Sequence, residues 1–362
     1  MAVTMVYFKH SGRVFLGAKS AEQVNQLDLV GYCGVVLFFA LSGFLIGQIL
    51  IRDMGGEPEA RDVKRFWTRR WLRTLPVYYL FLGINLVIHW GMVHGHMTLR
   101  YATFTQNLIN RDRESSYFFS ESWSLTIEEW FYLLLPLTIF GVSWLARKTR
   151  ASVLWSAVIL GGVSASLRFY YAIKHPEDSW RSELRTIAVF GMDGLMMGVL
   201  AAYLKTHFHE AWTAKKFHSL ALGLFCLLIV FTSQPSEGNS PALQVGFLSL
   251  CSLSFVLLLP AFASWRVIPR PWSRAVVAIS LWSYPLYLIQ NPLIFVSGQI
   301  FPVSGTGTHP WRFVAVWVLS CFAAFLIHEV LEKPVLAFRE RRFPSFAKEK
   351  RPEEPVDLPM AA

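Results

Sequence analysis

The sequence predicts an all-α fold, a polytopic membrane helical bundle of about ten transmembrane helices with the first one incomplete. Three observations predict it. The 362 residues are 54% hydrophobic and 16% charged, with a mean hydropathy of +0.39, whereas soluble domains carry about 25% charged residues. Apolar runs near the length that crosses a bilayer, about 20 residues, recur along the chain. Fourteen Trp and twelve Tyr fit two interfacial aromatic belts.

Nine runs are expected to span: 30–50, 75–92, 125–146, 152–168, 187–204, 217–232, 243–263, 275–298 and 313–331. The first carries Gly34, Ser42, Gly43 and Gly47, small residues that let a neighbouring helix approach closely. Residues 1–10 are apolar to Phe8 but reach only about 15 Å as a helix, half a bilayer. They read as the outer half of a first helix whose inner half lies upstream. The tail 339–362, rich in charge and Pro, is expected to be disordered, leaving 1–338 as one membrane-embedded domain.

Charge sets the orientation. The loops 52–74, 147–150, 205–216 and 264–274, with the tail after Leu331, hold 23 Lys or Arg, and the opposite set holds 10. The positive-inside rule makes the first set cytoplasmic, and the C-terminus with it. The net charge of +10 lies in these loops, with no basic stripe on a polar module, so no nucleic-acid partner is expected. Cys33, Cys226, Cys251 and Cys321 all fall in apolar runs and read as buried small hydrophobes.

Three constellations carry chemistry. Glu128 and Glu129 open the 125–146 run, where a carboxylate costs about 2.5–3.5 kcal/mol to insert. They either cap the helix among headgroups, join an ion pair or line a polar cavity. Arg69, Arg70 and Arg73 precede the 75–92 run on the cytoplasmic side and share one helical face. Such forks bind phosphate bidentately, or hold anionic lipid for topology alone. His10 lies at the outer end of the first helix, at a depth comparable with Glu128. A His–carboxylate pair can deprotonate a hydroxyl, while an isolated His there is an interfacial residue. Ser42 has no evident base beside it and reads as interface packing. His89, His94 and His96 lack acidic partners, so no metal site is expected.

The motifs, taken in order, are Val6-Tyr7-Phe8-Lys9-His10, the glycine-rich 34–46, Arg69-Arg70-Trp71-Leu72-Arg73-Thr74-Leu75-Pro76 and Thr105-Gln106-Asn107. They continue with Trp123-Ser124-Leu125-Thr126-Ile127-Glu128-Glu129-Trp130-Phe131-Tyr132, the stretch 192–198, Ser283-Tyr284-Pro285-Leu286-Tyr287-Leu288 and Glu332-Lys333-Pro334. Together they resemble the acyltransferase 3 family of multi-spanning membrane acyltransferases, which modify cell-surface glycans and related acceptors. The resemblance implies that His10 is the family's essential histidine, that Arg70 and Arg73 handle acyl-CoA, and that Glu128 is the acid of the Trp-Ser-Leu block. Three departures stand out. The basic residue about eleven positions before the histidine falls outside this sequence. Gly191 stands where an Arg is common, and Gln290 where many relatives have His.

The resemblance therefore implies O-acyl transfer, most simply of acetyl, from acyl-coenzyme A (as acetyl-CoA) to a hydroxyl of an extracytoplasmic glycan. His10 and Glu128 would be catalytic, and Arg69, Arg70 and Arg73 would bind the donor. No permanently bound cofactor is expected. Expected partners are acyl-CoA on the cytoplasmic side, a glycan acceptor near the outer face, membrane lipids and surface-polysaccharide assembly proteins. The expected location is the bacterial inner membrane. The alternative is a transporter or flippase for a lipid-linked glycan, which predicts a repeated architecture with interrupted helices; no repeat is visible in the sequence.

Overall fold

The structure is a computed structural model that describes residues 1–15, 20–54, 58–93, 95–110, 118–146, 151–178, 180–235, 239–265, 270–301 and 310–344. The helices, in order, are α1 (Ala2–Phe15), α2 (Ala21–Met54), α3 (Ala60–Ile88), α4 (Gly95–Ala102), α5 (Ser122–Ala146), α6 (Ser152–Lys174) and α7 (Glu183–Thr186). They continue with a 3-10 turn (Ala188–Phe190), α8 (Met192–His207), α9 (His209–Ala214), α10 (Lys216–Thr232), α11 (Pro241–Phe262), α12 (Arg270–Leu281), α13 (Ser283–Ile300) and α14 (Pro310–Ile327). A π-helical turn (His328–Glu332) then joins α14 to α15 (Lys333–Arg342).

The fold class is as expected; the span count is not. Among the described residues seven helices are long and apolar enough to cross a membrane, which corrects the expected ten. The reasons are local. α1 has 14 residues, about 21 Å at 1.5 Å per residue, and α10 has 17, about 26 Å, both short of a 30 Å core. The 275–298 run breaks at Trp282 into α12 and α13, and Gln290, Asn291 and Pro292 dilute the apolar character of α13. In contrast, α3 starts at Ala60, fifteen residues ahead of the expected span. Its start is fixed by a capping box between Glu59 and Asp62, so all three candidate arginines lie on a helix. The expected disordered tail overlaps the end of α15, and residues 345–362 lie outside the described residues.

The core forms where α2, α5 and α8 meet, with Phe39 and Ile46 against Ile127, Phe131, Leu195 and Val199. The small residues of α2 permit this. A Cβ on Gly43 would fall on the Leu195 carbonyl, and one on Gly198 on the Ala40 carbonyl. The two backbones therefore touch, as the small-residue pattern predicts. α1 packs antiparallel to α2, with Gly34 facing Ala2 and Gly31 facing Lys9, and Lys9 pairs with Asp28 at 3.3 Å. The cysteines are all free, and the Cys33 and Cys251 sulfurs meet at 3.7 Å between α2 and α11.

Candidate active site

Both glutamates of α5 are buried, at 2% and 9% exposure, which rules out a headgroup location. They point about 100° apart because they are adjacent on a helix. Glu128 faces inward. One turn on, the Tyr132 hydroxyl donates to Glu128 Oε1 at 2.8 Å. A phenol has one proton, and with it given to Glu128 the Tyr132 oxygen accepts from its other neighbours. These are Ser42 of α2 at 3.0 Å and Arg70 of α3, whose Nη2 donates to it. The Arg70 guanidinium also lies 4.1 Å over the Tyr132 ring centroid. Three helices thus contribute to one buried chain, Ser42 and Arg70 to Tyr132 to Glu128. Arg70 Nε and Glu129 Oε2 are buried without hydrogen-bond partners. Glu129 lines a cavity of about 250 Å³ with Trp71, Leu75, Phe104, Trp130 and Leu133.

The backbone supports this arrangement. Pro136 sits within α5 and has no N–H to give the carbonyl four residues earlier, which is that of Tyr132. Trp67 Nε1 of α3 fills the vacancy at 3.0 Å. The Thr105-Gln106-Asn107 motif fixes the start of α5, with Gln106 Nε2 donating to Thr126 at 2.7 Å and Asn107 Nδ2 to the Trp123 carbonyl at 3.0 Å. The Ser283-Tyr284 block ties in α13, where Tyr284 donates to the Thr74 carbonyl at 3.0 Å and Tyr287 meets Ser124 at 2.8 Å.

The other candidates are dispersed. Arg73, one turn beyond Arg69, lies in the field of Arg70, Glu332 and Arg339, and Glu332 Oε2 accepts from His328 Nδ1 at 2.8 Å. Arg69 is paired with Glu340 of α15 at 2.7 Å. His10 is not joined to Glu128. On the antiparallel α1 it sits beside the Asp28–Gly31 level of α2, whereas Glu128 sits at Ser42, roughly 16 Å further along that helix. The structure therefore brings Glu128 to Arg70 and keeps it apart from His10.

Sequence reasoning assigned no role in the site to four of these groups, Ser42 among them, which it read as interface packing. Tyr132 was legible as the i+4 partner of Glu128, and His328 as the i−4 partner of Glu332. Ser42 was not, because its partner comes from another helix. Glu121, just before α5, is the fourth. It is 2% exposed, its Oε2 accepts from Asn291 Nδ2 at 2.8 Å, and its Oε1 has no partner. Val3 packs against Leu286 and Tyr287, and Tyr7 against Leu293 and Ile294. Asn291, and Glu121 with it, thus lies level with residues 3–7, about one turn of α1 from His10. Burial pushes the Glu121 carboxyl up to about 7. A raised carboxyl stabilises the fold fully below its unfolded value near 4.5, and this contribution is lost as pH rises to about 7. Glu121→Gln is expected to melt with wild type near pH 5 and to exceed it at pH 8, by up to about 3 kcal/mol. Equal curves at both pH values would show that Glu121 ionises normally. Among the described residues the one potential metal-ligand group is His175, Glu177 and Asp178, with ligand atoms within 4.8 Å. It is largely exposed and far in sequence from the α5 centre.

The family model for an acyltransferase domain, Acyl_transf_3, matches residues 1–329. The chain belongs to the Acyl_transf_3 acyltransferase family. Among its relatives, YrhL of Bacillus subtilis (strain 168) is 26% identical over 362 residues, covering 88% of this chain and 52% of the relative. Peptidoglycan O-acetyltransferase OatA of Listeria monocytogenes is 23% identical over 333 residues, covering 84% and 51%. O-acetyltransferase OatA of Staphylococcus aureus (strain NCTC 8325 / PS 47) is 24% identical over 356 residues, covering 88% and 54%. The chain thus spans about half the length of these relatives. No solved structure matches it.

Within this acyltransferase domain the Gly191 departure has a structural counterpart. The space a Cβ would take at Gly191 is filled by Ile127. Asp193, two residues on, instead pairs with Arg168 of α6, which is 2% exposed and also donates from Nε to the Phe190 carbonyl at 2.9 Å. The guanidinium is present beside the aspartate, supplied by a different helix. Gln290 is fully buried, with its Nε2 on the Tyr287 carbonyl at 2.9 Å.

Proposed function

We propose that this chain transfers an acyl group, most simply acetyl, from acyl-CoA at the cytoplasmic face to a hydroxyl of an extracytoplasmic glycan. Beyond family membership, one observation carries the reading. A half-buried guanidinium meets a buried phenol, hydroxyl and carboxylate at the junction of α2, α3 and α5. They continue the basic face of α3 into the bundle interior. Two neighbouring polar atoms, Arg70 Nε and Glu129 Oε2, have no protein partner and are available to a substrate.

In the reaction the acceptor oxygen bonds to the thioester carbonyl carbon, the C–S bond breaks, and coenzyme A leaves as the thiol. Arg70 and Arg73 hold the donor, with Arg69 at its phosphate end. His10 takes the acceptor proton in the outer half of the membrane, or carries the acyl group transiently. The proton that His10 takes from the acceptor passes to the departing sulfur beside it, so the step balances, while Tyr132 and Glu128 hold the Arg70 guanidinium along the donor arm. The separation of His10 from Glu128 is bridged by the extended arm of the donor. The test is transfer of labelled acetyl from acetyl-CoA to a glycan fragment by protein reconstituted in vesicles, with glycan translocation measured in the same preparation. Translocation without transfer would favour a flippase.

The proposed setting is the bacterial inner membrane, with the C-terminus in the cytoplasm beside surface-polysaccharide assembly proteins. It rests on the basic asymmetry of the loops. A cysteine at Ala214 is expected to be shielded from an impermeant thiol reagent in intact cells, and one at Asn239 to react. The reverse pattern would place the donor site on the wrong side.

A further inference from the structure

α15 returns along α3 and presents its last turn to the basic face of that helix. Arg65, Arg69 and Arg73 recur every fourth residue and form one ridge on α3. Each is engaged from α15 or its flanks. Arg65 Nε donates to the Pro344 carbonyl at 3.0 Å. Arg69 donates to the Phe343 carbonyl and to Glu340, at 2.7 Å to Oε1 and 3.5 Å to Oε2. Arg73 lies in the field of Glu332 and Arg339. The Glu340 carboxylate is shared, because Arg339 Nη2 donates to its Oε1 at 2.6 Å. One carboxylate thus sits in a fork made by two guanidiniums from different helices.

Three features distinguish this fork from an ordinary helix-packing ion pair. Among the described contacts of Arg69, Arg73 and Arg339 cations outnumber anions, with Glu340 and Glu332 the carboxylates they meet. Arg339 Nε is buried without a partner, so the cluster has donor capacity left. The Glu340 side chain is 36% exposed against 20% for Arg69 and 16% for Arg339, so the anion is the accessible and exchangeable member. Exposed pairs of this kind hold weakly, whereas a phosphate offers more charge and more acceptor oxygens to the same forks. The ridge also leads through Arg73 to Arg70 and the Tyr132 centre. That polarity suits a ligand with phosphates at one end and a reactive thioester at the other.

We propose that Arg339 of α15 completes the phosphate-binding site of the acyl-CoA donor with the α3 ridge, and that Glu340 occupies this site until the donor displaces it. This rests on the proposed cytoplasmic donor site. α15 is then part of the binding site, and the carboxylate sets the donor concentration at which the site fills.

The test is coenzyme A titration by calorimetry on the full chain in lipid nanodiscs, once in phosphatidylcholine alone and once with phosphatidylglycerol added. Glu340→Gln is expected to tighten coenzyme A at least threefold in both lipids, and Arg339→Gln to weaken it at least threefold. If Glu340 is only a latch, Glu340→Gln loosens α15 and weakens binding, which overturns the proposal. An effect on retained phosphatidylglycerol with coenzyme A affinity unchanged assigns the fork to lipid headgroups and also overturns it. Arg70→Ala with Arg73→Ala is run in parallel. If that pair weakens binding tenfold while the α15 variants change nothing, only this proposal fails. If none of the variants alters binding, the donor site itself is misassigned. Glu340→Ala, which removes the carboxylate and the amide alike, repeats the expected tightening should the Gln variant fold poorly.

Discussion

Arg70→Ala is expected to abolish acyl transfer and to destabilise the protein by about 3–5 kcal/mol, the usual consequence of stripping one partner from a buried ion group. The cause is specific. Arg70 donates to the Tyr132 hydroxyl that in turn holds Glu128, and Glu128 is 2% exposed, so removing the guanidinium takes the main cation from a buried carboxylate and leaves only the weaker field of Arg73. Adding Glu128→Gln to Arg70→Ala is expected to recover most of the folded yield and none of the activity. Tyr132→Phe separates the roles further, because it keeps the ring under the guanidinium and deletes only the proton link. It should keep donor affinity within about threefold while lowering turnover. Urea or thermal unfolding of the single and double variants, with transfer measured alongside, decides the matter. Additive losses in the double variant would mean that Arg70 and Glu128 do not act on one another.

His10→Ala is expected to lower transfer by about 10²–10⁴, the range for loss of a general base, with folded yield and coenzyme A affinity nearly unchanged. The geometry sharpens this expectation. Because His10 is about three turns from Glu128 along α2, the two substitutions should fail differently. Glu128→Gln is expected to disturb the donor side, and His10→Ala only the response to acceptor. Glu129→Gln is expected to be the mildest of the three, since Glu129 faces the cavity beside Trp71 and Trp130 and lies off the Tyr132 chain. A His10→Ala protein with full activity on a glycan acceptor would remove the histidine from the reaction.

The all-α membrane class was legible from hydropathy, and so was the family from its motifs, because each depends on composition or on residues close in sequence; the burial of Glu128 was one of three readings left open. The span count was not legible. Hydropathy sees the 275–298 run as continuous, whereas the chain breaks at Trp282, and it scores the short α10 as it would a longer helix. Contacts between helices were also hidden. The quoted motifs converge on α5: Gln106 and Asn107 on its start, Tyr287 along its flank, and Arg70 at its centre. Their spacing in sequence carries no trace of that. The Arg168–Asp193 pair makes the same point, since nothing near Gly191 in sequence announces that α6 supplies a guanidinium to Asp193. Pairing His10 with Glu128 by depth alone assumed a common register, whereas α1 sets His10 at the Asp28–Gly31 level of α2 and Glu128 lies at Ser42.

Tyr132 is gripped by α3 at both ends, its carbonyl by Trp67 and its hydroxyl by Arg70. These two α3 residues are three apart, close to one helical turn, so both grips depend on the same vertical alignment of α3 with α5. Sliding α3 by a fraction of a turn cannot lengthen one bond and spare the other. It must release both or neither, because packed interfaces pass between discrete arrangements and do not deform smoothly. Pro136 removes the fallback, since the freed carbonyl has no helical N–H to return to. The joint therefore couples its two grips: a shift of α3 along α5 reaches the Tyr132 carbonyl and the Tyr132 hydroxyl together.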